Sequence, residues 1–178
     1  MGYSGGSTTN PTYRAIGDHT ETLQVDFDPT QVSYDELLEL FWESHDPTQK
    51  SLFRDRQYMS LLILHSEEQK TTASRSKEAW EQKLRKPIKT EFQSNSLFYL
   101  AEDYHQKYFL KRYNQVINSL QKLYPAHDLL LNATITARLN GFVRGRGGIR
   151  ELKEEMRSWG WQNHEVERAY EVLDSLKW

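Results

Sequence analysis

The sequence contains no cysteine in 178 residues. This absence excludes disulfide bonds, thiolate metal sites and any reaction in which a thiol of this chain is the nucleophile. No apolar run approaches the roughly 20 residues that a membrane-spanning helix needs, and the start of the chain lacks the basic and apolar regions of a signal peptide. The net charge is only −2. We therefore expect neither nucleic acid nor a membrane as a partner.

The residues that are present indicate a folded domain. Hydrophobic residues make up 37% of the chain, and it holds ten tyrosines, seven phenylalanines and five tryptophans, which is far from the composition of a disordered protein. A chain without cysteine is compatible with a reducing compartment. We therefore expect a cytoplasmic location.

A stretch near the start of the chain alternates in polarity. His19, Glu21, Leu23, Val25 and Phe27 fall on one face, and the residues between them are polar. A period of two predicts a strand over 19–27 with one face buried. The residues before it, 1–19, are rich in glycine, serine, threonine and asparagine, and this composition predicts a loop.

Two capping boxes mark helix starts further along the chain. The first, beginning at Ser33, predicts a helix that ends before Pro47, and the second, beginning at Ser66, predicts a helix that ends near Pro87. Apolar residues over 57–65 predict a central strand, and alternation over 88–93 predicts another. Later segments predict a long helix over 101–120 and further helices from residue 128, with Asn140-Gly141 and Gly160 as C-terminal caps. This order of elements predicts a layered α/β or α+β domain.

Glu21 is the residue whose position most suggests chemistry. It shares a strand face with apolar side chains, so it should be partly removed from water, where a carboxyl group holds its proton more readily. A protonated carboxyl group can donate to an oxygen on which charge develops. The alternative from the residues alone is a glutamate at a strand end that reaches water.

Several motifs together carry a resemblance that covers most of the chain. They are Gly2-Tyr3-Ser4-Gly5-Gly6, Asn10-Pro11-Thr12-Tyr13-Arg14, Gly17-Asp18-His19-Thr20-Glu21, Asp26-Phe27-Asp28-Pro29, Phe41-Trp42 with His45-Asp46-Pro47, Gln57-Tyr58, Ala101 to Gln106, and Ala137 to Gly141. In this respect the sequence resembles the methionine sulfoxide reductase A family. That family reduces methionine sulfoxide to methionine with a cysteine in a Gly-Cys-Phe-Trp motif, upstream of the part matched here.

The resemblance implies a fold and an extent. The fold is a two-layer α/β sandwich with a mixed sheet, a ferredoxin-like core that here lacks its first strand–helix unit and has extra C-terminal helices. We expect the family-like domain to span residues 1–143 and a helical extension to span 144–178. The expected truncation would leave Leu23, Val25, Phe27 and the strand over 57–65 partly uncovered.

The resemblance also implies site residues. Glu21 takes the position of the family's glutamate that donates to the sulfoxide oxygen, and Tyr13 and Tyr58 take the positions of two tyrosines that hold the same oxygen. From the residues alone, a tyrosine is as readily explained by packing with one hydrogen bond. The family uses no cofactor, and thioredoxin resets the cysteine in most members. Because this chain has no cysteine, we expect it to be inactive alone, and the alternative function is a non-catalytic binder of methionine or its sulfoxide.

Three further features leave two interpretations each. Arg54-Asp55-Arg56 stands where many relatives have Gly-Asn-Asp, so Asp55 either replaces that carboxylate or does not. Glu102 and His105 have the spacing of half a carboxylate-bridged metal pair, or lie on a solvated helix face. Arg144 to Gly148 precede a helix and could hold an anion, or form a flexible linker.

Overall fold

The computed structural model describes residues 1–49 and 56–178. The predicted residue Asp55 lies outside these ranges. The chain forms two compact units, Met1–Glu102 and Asp103–Trp178. The predicted boundary after residue 143 concerns the extent of the family-like sequence and stays a prediction.

Over its described residues, 1–49 and 56–102, the first unit combines five short strands with two helices. The strands are β1 (Gly2–Ser4), β2 (Thr20–Thr22), β3 (Leu61–Leu64), β4 (Glu91–Ser94) and β5 (Tyr99–Leu100). The helices are α1 (Tyr34–Glu43) and α2 (Glu67–Leu84). One sheet is antiparallel with the order β2-β1-β5, and the other is the parallel pair β3-β4. The predicted α/β class is confirmed, and the described strands form two small sheets.

Both helices of this unit begin where their caps predict. The Ser33 side chain accepts from the Glu36 amide and the Glu36 carboxylate accepts from the Ser33 amide, which completes the predicted capping box. The Ser66 side chain accepts from the Gln69 amide in the same way. The Gln69 side chain, however, accepts from the amide of His65 rather than from that of Ser66.

The apolar faces of α1, α2 and β3 pack into one core. Its buried members are Leu38, Trp42, Leu64, Ala73, Trp80 and Ile88. The indole of Trp42 donates to the Ser76 hydroxyl over 2.9 Å inside this core, and the indole of Trp80 donates to Glu39 over 3.1 Å at its edge. These bonds satisfy the polar atoms that the two large side chains bring into the interior.

The second unit is helical. Its helices are α3 (Asn114–Leu120), α4 (His127–Asn132), α5 (Thr134–Phe142), α6 (Ile149–Met156) and α7 (Asn163–Asp174). They share a core that includes Leu110, Val116, Leu120, Leu130, Ile135, Leu139, Leu152, Met156, Ala169, Val172 and Leu173. The described residues contain no helix that is long and apolar enough to cross a membrane.

The predicted strand over 19–27 is wrong beyond its first part. β2 ends at Thr22, Leu23 is 69% exposed and Val25 is 53% exposed. The buried residues of this stretch are instead His19 and Thr20. The register pairs Gly2 with Thr22, and residues 23–27 pair with no strand among the described residues. Alternation alone does not make a strand, because a strand also needs a neighbour with which to exchange hydrogen bonds.

Other predicted elements also differ, and the predicted loop over 1–19 contains β1. The long helix over 101–120 is interrupted by 3-10 turns at Asp103–His105 and Leu110–Arg112, and Lys107 between them has a φ of +48°, which a right-handed helix cannot contain. The predicted cap Gly141 lies inside α5, which ends one residue later. The first part of the predicted strand over 57–65 is a 3-10 turn, Arg56–Tyr58.

Candidate active site

The loop before β2 is closed by the side chain of Asp18. Its carboxylate accepts from the backbone amides and the hydroxyls of Ser7 and Thr8 over 2.8 to 3.0 Å. These bonds, led by the amide of Thr8, hold the pKa of Asp18 well below its usual range because they stabilise the charged form. One carboxylate therefore fixes both ends of the segment that carries Tyr13.

His19 supports the same closure from inside. It is fully buried, its Nδ1 accepts from the amide of Gly6 over 3.1 Å, and its Nε2 lies 2.7 Å from the carbonyl oxygen of Thr8. Because Nδ1 accepts, the ring proton is placed on Nε2, which donates to that carbonyl. The buried imidazole thus satisfies two backbone groups of the loop.

Tyr13 lies at the tip of this loop in a tight turn. Thr12 and Ala15 exchange backbone hydrogen bonds of 3.3 and 3.0 Å across the turn. The amide of Tyr13 donates to the Glu102 carboxylate over 2.9 Å. The same carboxylate accepts from the hydroxyl of Tyr3 over 2.6 Å. The turn is therefore tied to the middle strand of the antiparallel sheet.

Glu21 lies on β2, directly opposite Tyr3 of β1. Glu21 is half-buried, and its carboxylate accepts from the side-chain amide of Gln57 over 2.7 Å. Gln57 belongs to the turn Arg56–Tyr58, and the Thr20 hydroxyl donates to the carbonyl of Arg56 over 2.8 Å. The turn is thus fastened to β2 at Thr20 and at Glu21.

Tyr58 completes the arrangement. A hydrogen bond with the side chain of Tyr13 is the main cause that raises the pKa of Tyr58, followed by partial desolvation and the charges of Tyr13 and Glu21. A hydrogen bond raises the pKa of an acid when it stabilises the protonated form, and the hydroxyls of Tyr58 and Tyr13 share such a bond. The structure therefore brings Tyr13, Glu21 and Tyr58 together from three separate segments.

This cluster is open to solvent rather than enclosed. Tyr13 is 40% exposed and Tyr58 is 62% exposed. The two phenol groups and the carboxyl group can each hold or donate a proton to one oxygen atom of a ligand. In the part of the chain that the structure describes, no group of three or more histidine, aspartate or glutamate residues could hold a metal ion.

The family model for "Peptide methionine sulfoxide reductase" matches residues 1–131 of this chain. The chain belongs to that family. Two curated relatives bear the same description: a protein of Drosophila melanogaster is 45% identical over 161 residues, which are 90% of this chain and 64% of the relative. The MsrA protein of Methanosarcina acetivorans is 46% identical over 121 residues, 63% of this chain and 64% of the relative. The chain thus spans just under two thirds of the length of these relatives.

A solved structure gives the same result for the fold. Methionine sulfoxide reductase A of Corynebacterium diphtheriae is 31% identical and matches with a TM-score of 0.51, over 64% of this chain and 62% of that one. The predicted family and the α/β class are therefore confirmed. The catalytic roles of Glu21, Tyr13 and Tyr58 stay predictions.

In this family member, sequence reasoning missed two residues that hold the cluster together. Gln57 belongs to a family-like motif, and its side chain binds Glu21. The spacing of Glu102 and His105 predicts a metal pair or a solvated face, whereas Glu102 binds Tyr3 and Tyr13. The available signal was their presence in the family-like motifs, which does not show which partner each side chain has. The anion site at Arg144 to Gly148 stays a prediction.

The loop that carries Tyr13 should be sensitive to acid through Asp18. The pKa of Asp18 in the folded chain lies below the value of 3.8 that it has when unfolded. Its contribution to stability is therefore fully present above that value and is lost as the pH falls through the range below it. We expect Asp18→Ala to lower the free energy of unfolding at pH 7. The difference in this free energy between wild type and Asp18→Ala should become smaller below pH 3.8.

Urea unfolding from pH 7 down to pH 2.5 measures this gap. A suitable control is Asp35→Ala, because Asp35 is exposed and pairs with Arg75 on the surface, where ion pairs contribute little. A gap between wild type and Asp18→Ala that stays constant down to pH 2.5 would contradict the expectation.

Proposed function

We propose that this chain carries the oxygen-binding side of a peptide-methionine (S)-S-oxide reductase site. In this proposal Glu21, Tyr13 and Tyr58 hold the sulfoxide oxygen of a methionine sulfoxide, free or within a peptide. The observation that supports it most is the meeting of these three side chains through the Tyr58–Tyr13 and Gln57–Glu21 hydrogen bonds. Membership in the family supplies the reaction to which such a cluster is suited.

The chemistry assigns different tasks to the three groups. Reduction of a sulfoxide requires its oxygen to accept hydrogen bonds and then a proton as the S–O bond weakens. The phenol hydroxyls donate hydrogen bonds to the oxygen, and Glu21 in its protonated form delivers the proton. Gln57 holds the Glu21 carboxyl group in place by donating to one of its oxygens.

The other half of the reaction needs a thiolate. The thiolate sulfur attacks the sulfoxide sulfur, the oxygen moves to the thiolate sulfur as a sulfenic acid, and the methionine sulfur gains two electrons. This chain has no cysteine, and neither hydroxyls nor thioethers form a sulfenic acid. We propose that the chain alone does not complete the reduction.

We also propose a reductant and a cellular location for the reaction. A dithiol protein such as thioredoxin would return the sulfenic acid to a thiol where a cysteine is supplied, because that step needs two further electrons. Such a reductant works in a reducing compartment, so we propose a cytoplasmic location.

A second function follows from the missing thiol. The chain can act as a binder that recognises methionine sulfoxide in peptides without changing it. The specific observation in its favour is that Tyr13, Glu21 and Tyr58 meet in a chain with zero cysteines. Both functions share one property, which is binding of the sulfoxide oxygen.

We expect the chain to bind N-acetyl-methionine-(S)-sulfoxide methylamide in preference to the corresponding methionine compound. One neutral hydrogen bond stabilises a complex by about 0.5–1.5 kcal/mol. Tyr13→Phe and Tyr58→Phe each remove one such bond and should each weaken sulfoxide binding about two- to tenfold. Chemical-shift titration of the amides of Tyr13, Glu21 and Tyr58 measures both affinities.

Tyr34→Phe is the matched control for that titration. Tyr34 packs against the core of the same unit, and its hydroxyl has no hydrogen-bond partner among the described residues, so its removal should leave binding unchanged. Equal affinity for sulfoxide and methionine, or shifts confined to other residues, would count against the proposed site.

A further inference from the structure

We propose that Glu102 is a positioning residue of this site, which sets where the hydroxyl of Tyr13 lies by holding the backbone of its turn. The inference rests on the proposed function, because it concerns the same oxygen-binding cluster. Glu102 acts on Tyr13 and through it on Tyr58, and it does not itself contact the ligand.

The backbone next to Glu102 is held in place by the antiparallel sheet. It follows β5, and the amide of Ala101 donates to the carbonyl of Met1 over 3.1 Å, which extends the pairing of β5 with β1 to the residue before Glu102. Tyr3, the residue whose hydroxyl binds Glu102, is in the middle strand and is 1% exposed. A carboxylate attached to a paired strand and bound to a buried phenol has little freedom to move.

The other oxygen of this carboxylate reaches the turn. Oε2 accepts from the Tyr3 hydroxyl over 2.6 Å, and Oε1 accepts from the Tyr13 amide over 2.9 Å. These partners are separated from Glu102 by 99 and 89 positions in the sequence. The contact therefore fastens a distant loop to the sheet.

The geometry also explains why a carboxylate is needed. Both partners donate, and an ionised carboxylate offers an acceptor to each. A glutamine has one acceptor oxygen and would present its amino group to the second donor. Glu102 binds the backbone amide of Tyr13. It therefore positions the Tyr13 side chain and leaves the Tyr13 hydroxyl available for its hydrogen bond with Tyr58.

The titration of Tyr58 reports directly on this placement. The hydrogen bond with Tyr13 is the main cause of the raised pKa of Tyr58. If Glu102 positions Tyr13, its removal should lower the pKa of Tyr58 toward the ordinary value of tyrosine, about 10. A residue that only stabilised the fold would leave this value unchanged in the folded protein.

The experiment follows the tyrosine ring carbons of the full-length chain by NMR as the pH rises. Tyr58→Phe assigns the signal of Tyr58, and the variants Tyr13→Phe, Glu102→Ala and Glu102→Gln are compared with wild type. We expect Tyr13→Phe and Glu102→Ala to lower the pKa of Tyr58 by similar amounts, and the double variant to lower it no further. Glu102→Gln should give an intermediate value, and it carries the test if Glu102→Ala does not fold.

Glu39→Ala is the matched control, since Glu39 also accepts a hydrogen bond from an aromatic side chain of the same unit, Trp80. It should leave the titration of Tyr58 unchanged. The inference is overturned if both Glu102 variants titrate like wild type, if the double variant shifts Tyr58 beyond Tyr13→Phe, or if Tyr13→Phe has no effect.

A second measurement separates this inference from the function on which it rests. Glu102→Ala should weaken binding of the sulfoxide compound by the same factor as Tyr13→Phe, about two- to tenfold. The tyrosine titration needs no ligand. A wild-type chain that binds no sulfoxide, but in which Glu102→Ala lowers the pKa of Tyr58, would contradict the proposed function and support the role of Glu102 in placing Tyr13.

Discussion

The chain alone should reduce no methionine sulfoxide, and the same chain joined to a segment with the family's Gly-Cys-Phe-Trp motif ahead of Gly2 should reduce it. In the proposed site, Tyr13, Glu21 and Tyr58 are the donors for the sulfoxide oxygen, and the chain has no cysteine. A thiolate is the nucleophile that becomes a sulfenic acid. Adding it should therefore turn an undetectable rate into multiple turnovers.

The measurement is conversion of a peptide-bound S-sulfoxide with dithiothreitol as the reductant. The joined protein with Cys→Ser in the motif is the control, because it keeps the added segment and loses only the thiol. Turnover by the unjoined chain above a no-protein blank would refute the expectation. A joined protein that folds cooperatively but stays inactive would show that the oxygen-binding cluster is not catalytic.

The second large effect concerns Glu21 in that joined protein. A side chain that transfers a proton in the transition state typically contributes about 10²–10⁴-fold to the rate. Glu21→Gln keeps the size of the side chain and a carbonyl oxygen for the bond from Gln57, but it cannot deliver a proton. We expect kcat to fall by about 10²–10⁴-fold with a much smaller change in KM.

Glu39→Gln is the control for this variant, because it keeps the acceptor for the indole of Trp80 and lies in a different hydrogen bond of the same unit. Its kcat should match that of the joined wild type. If Glu21→Gln retains nearly full kcat, proton delivery comes from the tyrosines or from water.

Local signals in the sequence predicted local structure well. Ser33 and Ser66 cap the helices that their motifs indicate, because a cap involves only residues three positions apart. Gly141 shows the limit of such signals. It looked like a helix end, but α5 continues to Phe142, since glycine inside a helix costs only about 1 kcal/mol relative to alanine and packing can outweigh it.

Long-range contacts could not be predicted in the same way. The alternation over 19–27 is present, but β2 ends where its pairing with β1 ends, at Gly2 and Thr22. Leu23 and Val25 are exposed, whereas Leu61 and Leu64 of β3 are buried. Leu64 of β3 packs in one core with buried residues of α1 and α2. No pattern in residues 57–65 shows which elements pack against this strand.

In the candidate site too, residues in local motifs could be predicted and residues defined by long-range contacts could not. Tyr13, Glu21 and Tyr58 could be selected because family-like motifs fix their identity. Gln57 and Glu102 could not be given their roles, because those roles consist of hydrogen bonds between residues 36 and 89 positions apart. Spacing in a sequence carries no information on such pairs.

The closure of the Tyr13 loop also bears on proteolysis. Arg14 lies exposed in the turn beside Tyr13, so trypsin has an accessible bond there. The Asp18 bonds to Ser7 and Thr8 and the pairing of β1 with β2 hold the chain on either side of that bond. A nicked protein would therefore stay associated as two fragments, with Tyr13 close to a new chain end and Glu21 on the other piece.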